Sequence, residues 1–277
     1  MTPHQQTDRH TGRQARHVVI TGAAGGIGAQ IARRFSESGC MLTLVDARPD
    51  VLASTASGLG DPGIAVNTLT ADLRDPAALD RLVLDAWQLA PVDVWVNAAG
   101  IYPATPFLEL DAATWDSVQN VNTRAPLLIT VALARKAIAA DRTPVVINIS
   151  SGAALRARPG AAPYSTSKSA LEMVTRASAL ELGRYGIRVN AVSPGFVEVN
   201  SGVNPVTDDY AAAVSANPLG RIGQPDDIAR AVVWLAGSDA DWITGEVLRV
   251  DGGASTGALN LPLHWDSAQL DPTRSQS

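Results

Sequence analysis

Residues 21–28 read Thr-Gly-Ala-Ala-Gly-Gly-Ile-Gly and overlap the end of the apolar run HVVIT at residues 17–21. The run predicts a buried strand, and residues 26–38 have helical spacing. Glycines at such a junction let the backbone turn tightly and approach a diphosphate, which the helix N-terminus stabilises through its N–H groups and dipole. The stretch therefore predicts a phosphate-binding turn in the first strand–helix unit of an α/β protein.

The rest of the chain repeats this alternation. Six further strands are predicted, at residues 41–46, 64–70, 93–96, 144–149, 188–192 and 246–250. Helices are predicted at residues 75–89, 115–140 (two segments), 162–184 and 224–236. Alternation of this kind implies a parallel sheet with helices on both faces, and right-handed crossovers make it doubly wound. We predict one α/β domain with a seven-stranded parallel sheet over residues 17–257.

Composition excludes several classes of function. The chain has 277 residues, of which 46% are hydrophobic and 18% charged, and its net charge is -5. Lysine and arginine are scattered, so no basic face for nucleic acid is expected. No apolar run approaches the roughly 18 residues of a membrane span. The single cysteine, Cys40, excludes an internal disulfide framework and fits a reducing compartment, so we expect a cytoplasmic protein.

The two ends of the chain lack the strand–helix pattern. Residues 1–16 are polar and have no apolar signal-peptide core, and we interpret them as a flexible extension. Residues 258–277 contain proline and serine and are weakly patterned, so we interpret them as a tail. Alternating apolar residues near its start suggest that part of the tail packs on a neighbouring surface.

A tyrosine and a lysine in YSTSK, Tyr164 and Lys168, are separated by four positions. On a helix such positions share a face, so an ammonium lies beside a phenol. The unperturbed pKa of a phenol is about 10, and a neighbouring positive charge lowers it toward the working pH of an acid/base catalyst. The pair predicts proton transfer to or from an oxygen.

An aspartate, Asp46, ends the second predicted strand. A carboxylate at this place accepts hydrogen bonds from the ribose hydroxyls of a dinucleotide and repels a 2′-phosphate. The cofactor is therefore predicted to be NAD, with NADP the less favoured alternative. Arg48 lies two residues further on and could admit a phosphate.

Taken in order, several motifs resemble those of the short-chain dehydrogenase/reductase family from about residue 17 to residue 256. They are TGAAGGIG, Asp72-Leu73, Asn97-Ala98-Ala99-Gly100, Asn122, Asn148-Ile149-Ser150-Ser151, YSTSK, Asn190, Pro194-Gly195 and Asp251-Gly252-Gly253. The resemblance implies a Rossmann fold, an NAD-dependent oxidoreductase, a homotetramer (or a dimer) and no metal.

The resemblance also implies roles for individual residues. Tyr164 is the general acid/base, Lys168 lowers its pKa and binds the nicotinamide ribose, Ser151 orients the substrate oxygen, and Asn122 holds a proton-relay water. Ser151 is chosen over Ser150 because it stands thirteen residues before Tyr164. The implied cofactor-binding residues are Thr21, Gly22, Ala24, Gly26, Ile27, Gly28, Asp46, Ala47, Asp72, Leu73, Asn97, Ala98, Ala99, Gly100, Tyr164, Lys168, Pro194, Gly195 and Val197.

One departure from the family pattern concerns the nicotinamide end. The family commonly has a threonine four residues after the glycine of Pro194-Gly195, and this chain has Val199 there. A valine cannot donate a hydrogen bond to the carboxamide. Asn200, Ser201 or the backbone of Val197 could take over that contact.

Residues around the predicted catalytic group indicate the substrate class. Residues 195–219 are predicted to form a lid. Tyr102 and Leu155 are predicted to contact substrate, and a mainly apolar wall suits a small secondary alcohol or ketone with apolar or ring substituents. Arg156 and Arg158 could instead bind a carboxylate, although we favour surface positions for both. The alternative functions are a non-catalytic NAD-responsive regulator, a sugar-nucleotide epimerase or dehydratase, and a sugar or hydroxy-acid dehydrogenase.

Overall fold

The computed structural model describes residues 15–59, 63–199, 207–259 and 261. Most of the predicted extension, most of the predicted tail and residues 200–206 of the predicted lid lie outside these ranges. Asn200 and Ser201, proposed above as substitutes for a threonine, are among them.

Seven parallel strands form one sheet in the order β3-β2-β1-β4-β5-β6-β7. The strands are β1 His17–Thr21, β2 Met41–Asp46, β3 Val66–Thr70, β4 Val94–Asn97, β5 Val145–Ile149, β6 Arg188–Pro194 and β7 Val247–Val250. The central strands β1, β4 and β5 are buried along their whole length. This explains why they read as continuous apolar runs. The predicted doubly wound sheet is confirmed.

Helices cover both faces of this sheet. They are α1 Gly26–Glu37, α2 Pro49–Ser57, α3 Pro76–Leu89, α4 Ala112–Gln119, α5 Ala125–Ala139, α6 Ala162–Leu182, α7 Asp208–Ser215 and α8 Pro225–Ala236. Side chains of α1, α2 and α8 join one hydrophobic core, and side chains of α3, α5 and α6 join the other. No helix in the described residues is long and apolar enough to cross a membrane.

Three helical regions differ from the sequence-based expectation: α2, the start of α4, and α7, which lies in the segment predicted to be a lid. Helix α2 was not predicted, because only Leu52 of its nine residues is buried and its apolar pattern is weak. The predicted helical region at 115–140 begins earlier, since Asp111 caps α4 by accepting a hydrogen bond from the Thr114 N–H at 2.7 Å. A π-helical turn, Asn120–Arg124, joins α4 to α5.

The glycine turn after β1 packs against the turn after β4. Strand order reverses between these two strands, so their carboxyl ends form the crevice where ligands bind in doubly wound sheets. Gly22 has a φ of +70°, and a Cβ there would lie 2.6 Å from the backbone N and Cα of Ala99. Only glycine fits this contact, which sets the distance between the two turns.

We expect Gly22→Ala to lower the free energy of unfolding by about 3 kcal/mol, the sum of a left-handed backbone cost and a backbone clash. Gly39→Ala is the matched control, because Gly39 has a φ of +74° but nothing lies within 4 Å of its Cβ position. The control should cost only about 1 kcal/mol. Urea denaturation measures both, and equal losses would contradict the packing argument.

Candidate active site

A single cavity of about 1750 Å³ runs along the carboxyl ends of the strands. Sites for one drug-sized ligand are commonly about 300–1,000 Å³, so this cavity has room for a dinucleotide and a small substrate together. Its walls come from the turns after β1, β2, β3, β4, β5 and β6, from α6 and α7, and from residues 251–259.

The floor at one end is the glycine turn. Gly22, Ala24, Gly26, Ile27 and Gly28 all line the cavity. A Cβ on Gly28 would overlap the carbonyl oxygen of Gly22, so the chain passes here too closely for any side chain. Helix α1 has neither a side-chain cap nor an acidic residue in its first turn. Its first N–H groups therefore suit an anionic ligand, and the turn fits a dinucleotide diphosphate.

Asp46 lies beside this turn. One carboxylate oxygen accepts a hydrogen bond from the Ala24 N–H at 3.1 Å, and the other accepts from the backbone N and Nε of Arg48, both at 3.1 Å. The Asp46 side chain is only 9% exposed, whereas that of Arg48 is 50% exposed. The glycine turn thus fixes the Asp46 carboxylate at the cavity wall, and the Arg48 guanidinium partly neutralises its charge. Ala47 also lines the cavity.

The next wall is formed by Asp72 and Leu73. The Asp72 carboxylate pairs with the guanidinium of Arg74 at 2.7 Å, and these hydrogen bonds hold the pKa of Asp72 below its ordinary value. Asp72 is therefore ionised at neutral pH. Ala98, Ala99 and Gly100 line the cavity opposite the glycine turn.

Two of the predicted cofactor-binding residues lie beneath the cavity wall. The hydroxyl of Thr21 accepts a hydrogen bond from the Ala99 N–H at 3.3 Å, so it braces the turn after β4. The amide of Asn97 donates to Asn148 Oδ1 at 2.8 Å and accepts from the indole of Trp95 at 3.0 Å. Both side chains are buried and act on the site through the backbone that they hold.

Ser151, Tyr164 and Lys168 line the same cavity. The Lys168 ammonium lies 5.7 Å from the centre of the Tyr164 ring and donates a hydrogen bond to the Ile149 carbonyl at 2.8 Å. Lys168 is only 4% exposed, and burial lowers its pKa to about 8. The hydroxyl of Ser151 accepts from the Ala153 N–H at 3.1 Å. A phenol, a hydroxyl and a buried ammonium therefore face one space.

Tyr102 packs on this group. Its ring centre lies 4.6 Å from that of Tyr164, with the planes tilted by 35°. Such a separation is typical of a favourable aromatic pair, and it restricts the orientation of the Tyr164 ring. Tyr102 itself lines the cavity, but the predicted substrate contact Leu155 is exposed and is not on the cavity wall.

Asn122 lies in the π-helical turn and is completely buried. Its amide nitrogen donates to the Ile101 carbonyl at 2.9 Å and to the Ser167 hydroxyl at 3.0 Å, and its oxygen accepts from the Ile101 N–H at 2.9 Å. Both amide donors are used, so the side chain joins the turn after β4 to α6.

Three further cavity features escaped sequence reasoning. Arg156 and Arg158 both line the cavity; Arg156 is exposed, as expected for a surface position, whereas Arg158 is half-buried. Residues 257–259 also line it, so the cavity wall extends into the predicted tail. Val199 lies 3.4 Å from the Cβ position of Gly26, next to the glycine turn. These contacts join residues distant in sequence, which periodicity cannot detect.

Pro194, Gly195 and Val197 line the cavity after β6, as the resemblance implies. A Cβ on Gly195 would lie 2.8 Å from Asp251 Cα, so this turn is also closely packed. The described residues contain no group of three or more histidine, cysteine, aspartate or glutamate side chains that could hold a metal ion.

Comparison with known proteins gives several similar sequences. The chain is 36% identical over 247 residues to subunit BbsD of a hydroxy(phenyl)methylsuccinyl-CoA dehydrogenase from Thauera aromatica, covering 88% of this chain and 98% of the relative. It is 35% identical over 238 residues to a galactitol 2-dehydrogenase (L-tagatose-forming) from Cereibacter sphaeroides, covering 85% and 93%.

Solved structures show the same likeness. A short-chain dehydrogenase/reductase family protein superposes with a TM-score of 0.77 at 32% identity, over 87% of this chain and 98% of that one. A 4-hydroxyisoleucine dehydrogenase complexed with NADH gives 0.80 at 28% identity, over 88% and 100%. A blue fluorescent protein in complex with NADPH gives 0.79 at 35% identity, over 87% and 98%.

A family model described as enoyl-(acyl carrier protein) reductase matches residues 22–255. This match contains the glycine turn, Ser151, Tyr164 and Lys168. The chain belongs to the short-chain dehydrogenase/reductase family of oxidoreductases.

Proposed function

We propose that this chain transfers a hydride between NAD(H) and a secondary alcohol or ketone that carries apolar or ring substituents. One observation carries the proposal: a single cavity joins a glycine turn that fits a diphosphate to the Ser151, Tyr164 and Lys168 group. When bound, the nicotinamide ring supplies the hydride acceptor or donor. The remaining tasks, binding and orienting the substrate and moving its proton, belong to the side chains of this site.

Tyr164 is the proposed general acid/base. In the oxidising direction its phenolate oxygen takes the hydroxyl proton of the substrate, and in the reducing direction its phenol returns a proton to the carbonyl oxygen. Ser151 donates a hydrogen bond to the same substrate oxygen, which stabilises the charge that develops there. The bond from Ala153 N–H supports this role, because it occupies a lone pair of the Ser151 oxygen and leaves its proton for the substrate.

Lys168 has two proposed tasks. Its ammonium favours the phenolate form of Tyr164 and so lowers the pKa of that residue. It also donates hydrogen bonds to the nicotinamide ribose; its bond to Ile149 uses one of its three N–H donors. Asn122 is proposed to hold the water that links Lys168 to solvent.

NAD is the proposed cofactor rather than NADP. The supporting observation is the fixed Asp46 carboxylate beside the glycine turn, which can accept hydrogen bonds from ribose hydroxyls and repels a 2′-phosphate. Arg48 favours NADP instead, because its guanidinium lies beside Asp46 and could bind a 2′-phosphate. Similar structures hold NADH in one case and NADPH in another, so this preference is carried by the residues of this chain.

An apolar or ring-bearing substrate is supported by the apolar side chains of the cavity. Tyr102 packs on Tyr164, and Phe196, Val214 and Leu259 also line the cavity. The Thauera aromatica relative is named for a compound with a hydroxyl and a phenyl group on one carbon. The Cereibacter sphaeroides relative is named for a polyol. A sugar or hydroxy-acid dehydrogenase is the alternative activity, and an NAD-responsive regulator without turnover is the non-enzymatic one.

A cytoplasmic homotetramer is the proposed state of the protein, with a dimer as the alternative. Its support is the apolar surface that the single chain exposes on α6, where Met173 and Leu180 are 60% and 85% exposed. Exposed apolar side chains of this size on one helix are typical of an interface. Its proposed partner in solution, apart from its own copies, is the small-molecule substrate.

Tyr164→Phe tests the acid/base assignment. We expect turnover to fall by about a thousandfold or more, because no other group can exchange the proton, whereas NAD binding stays within about twofold. Tyr185→Phe is the control, since Tyr185 lies after α6 and packs against Arg184. Steady-state kinetics and cofactor titration measure both effects. Substantial residual turnover in the Tyr164 variant would refute the assignment.

Asp46→Ala tests the cofactor preference. We expect NAD affinity to fall by about tenfold or more, while NADP affinity changes little or rises, because the carboxylate that repels a 2′-phosphate is gone. Asp50→Ala, at the exposed start of α2, is the control for loss of one negative charge. Equal changes in the two affinities, measured by fluorescence titration, would remove the ribose argument.

Lys168→Met tests the cost of the buried ammonium. Burial lowers the pKa of Lys168 from 10.5 to about 8 in the folded protein. Between pH 8 and pH 10.5, this lysine is therefore protonated in the unfolded chain but largely neutral in the folded one. Stability of the native protein thus rises with pH across this window. The variant lacks this titration, so the native protein should gain about 2 kcal/mol of stability relative to the variant between about pH 7 and about pH 10 without cofactor.

Urea denaturation of the cofactor-free protein at about pH 7 and about pH 10 measures this difference. Lys136→Met, on the exposed side of α5, is the control and should show no such pH dependence. A stability difference between the native protein and the Lys168 variant that is the same at both pH values would contradict the argument.

A further inference from the structure

Two arginines line the cavity on the segment between Ser151 and Tyr164. Arg156 and Arg158 follow the short 3-10 helix Gly152–Ala154 and precede α6. Both belong to the same cavity wall as Ser151 and Tyr164. A positive charge at this place is not needed for the proton and hydride transfer described above, so its role must be sought in what else occupies the cavity.

The segment that carries them is anchored on both sides. The Ser169 hydroxyl donates to the Ala154 carbonyl at 2.7 Å, and the Thr105 N–H donates to the Gly160 carbonyl at 3.0 Å. A third bond closes the end of the segment, where the Ala161 N–H donates to the Arg158 carbonyl at 3.1 Å. The backbone under both guanidinium groups is therefore held in place before a ligand binds.

Arg156 reaches across the cavity to the C-terminal segment. Its Nη2 donates to the Ala254 carbonyl at 2.9 Å. Ala254 lies in a turn in which the Asp251 carboxylate accepts the Gly253 and Ser255 N–H groups at 2.9 and 3.0 Å. A guanidinium has five N–H donors, and the bond to Ala254 uses one of them. Arg156 is thus oriented by one bond and keeps donors for a ligand.

The charges on the cavity wall differ between its two ends. At the cofactor end, Asp46 is paired with Arg48 and Asp72 with Arg74. Elsewhere on the wall, the oxygens of Asp251 are engaged by its own turn, and Glu198 and Arg156 are both exposed. Arg156 forms no ion pair with a carboxylate among the described residues. Its charge is available to an anion.

We propose that Arg156 binds an oxyanion group of the substrate, a carboxylate or a phosphate. The inference rests on the proposed function, because it concerns the substrate of the same site. A planar guanidinium matches two oxygens of such a group at once, which gives both orientation and binding energy. The cofactor diphosphate would bind elsewhere, at the glycine turn and the start of α1.

The substrate is thereby defined more narrowly. Its hydroxyl-bearing carbon lies at Ser151 and Tyr164, its apolar portion lies against side chains such as Tyr102 and Leu259, and its anionic group lies at Arg156. A neutral alcohol of the same shape would fill the apolar portion but leave the guanidinium without its partner. The protein should therefore bind the anionic compound more tightly than the neutral alcohol.

Three probes with one phenyl group test the proposal: phenylacetate, phenyl phosphate and phenylacetamide. Each is titrated by calorimetry into the full-length protein saturated with NAD. At least one anionic probe should bind about tenfold tighter than the amide, and Arg156→Leu should remove that advantage. The anion that binds more tightly identifies the carboxylate or the phosphate as the group recognised.

Arg81→Leu is the matched control, since Arg81 lies on α3 with its side chain 81% exposed and is not on the cavity wall. Arg81→Leu should change the affinities for the three probes by no more than about twofold. Arg156→Leu should likewise change the affinity for NAD by no more than about twofold. Arg156→Lys, which keeps the charge but loses the planar fork, should retain part of the advantage. If the native protein binds the amide as tightly as both anions, or if Arg156→Leu leaves anion binding unchanged, the proposal is overturned.

A separate assay keeps this result distinct from the proposed function. NADH formation by the native protein is measured on secondary alcohols with and without a carboxylate. Turnover of neutral alcohols without discrimination would overturn the anion site and leave the proposed hydride transfer standing. Anion binding that depends on Arg156, in a protein that turns over no alcohol, would support the site and refute the hydride transfer.

Discussion

The hydrogen bond from the Lys168 ammonium to the Ile149 carbonyl connects the parts on which the site depends. An ammonium so deeply buried is costly unless it is paired, and this bond is made to the last residue of β5. It holds α6, which carries Tyr164, against the strand that leads into Ser151. The bond between Lys168 and Ile149 thereby brings the side chains of Tyr164, Lys168 and Ser151 together.

Neighbouring polar contacts strengthen the same junction. The amide of Asn148 in β5 donates to the Thr175 hydroxyl in α6 at 2.9 Å, and the Ser150 hydroxyl donates to the buried carboxylate of Glu172 at 2.9 Å. Buried hydrogen bonds are individually modest, but leaving either partner unsatisfied would be costly. The strand and the helix thus have one favourable register, and catalytic geometry follows from it.

Much of this architecture could be predicted from local sequence. Strands β1, β4 and β5 are buried on both faces, so their apolar runs indicate them directly, and the glycines after β1 mark a turn where side chains cannot fit. Helix α2 escaped because it buries a single leucine. The sequence left open whether Arg156 and Arg158 face solvent or a ligand, and the exposed position of Leu155 could not be predicted. They depend on how a loop meets residues 251–259, and spacing in the chain carries no information on that contact.

The most direct test of the account is the production of NADH by the native protein when NAD is supplied with a panel of secondary alcohols, followed by absorbance. The account predicts steady NADH formation with at least one secondary alcohol, with NAD preferred over NADP and no added metal required. A protein that binds NAD but forms no NADH with any alcohol, and consumes none with the matching ketones, would contradict the central claim.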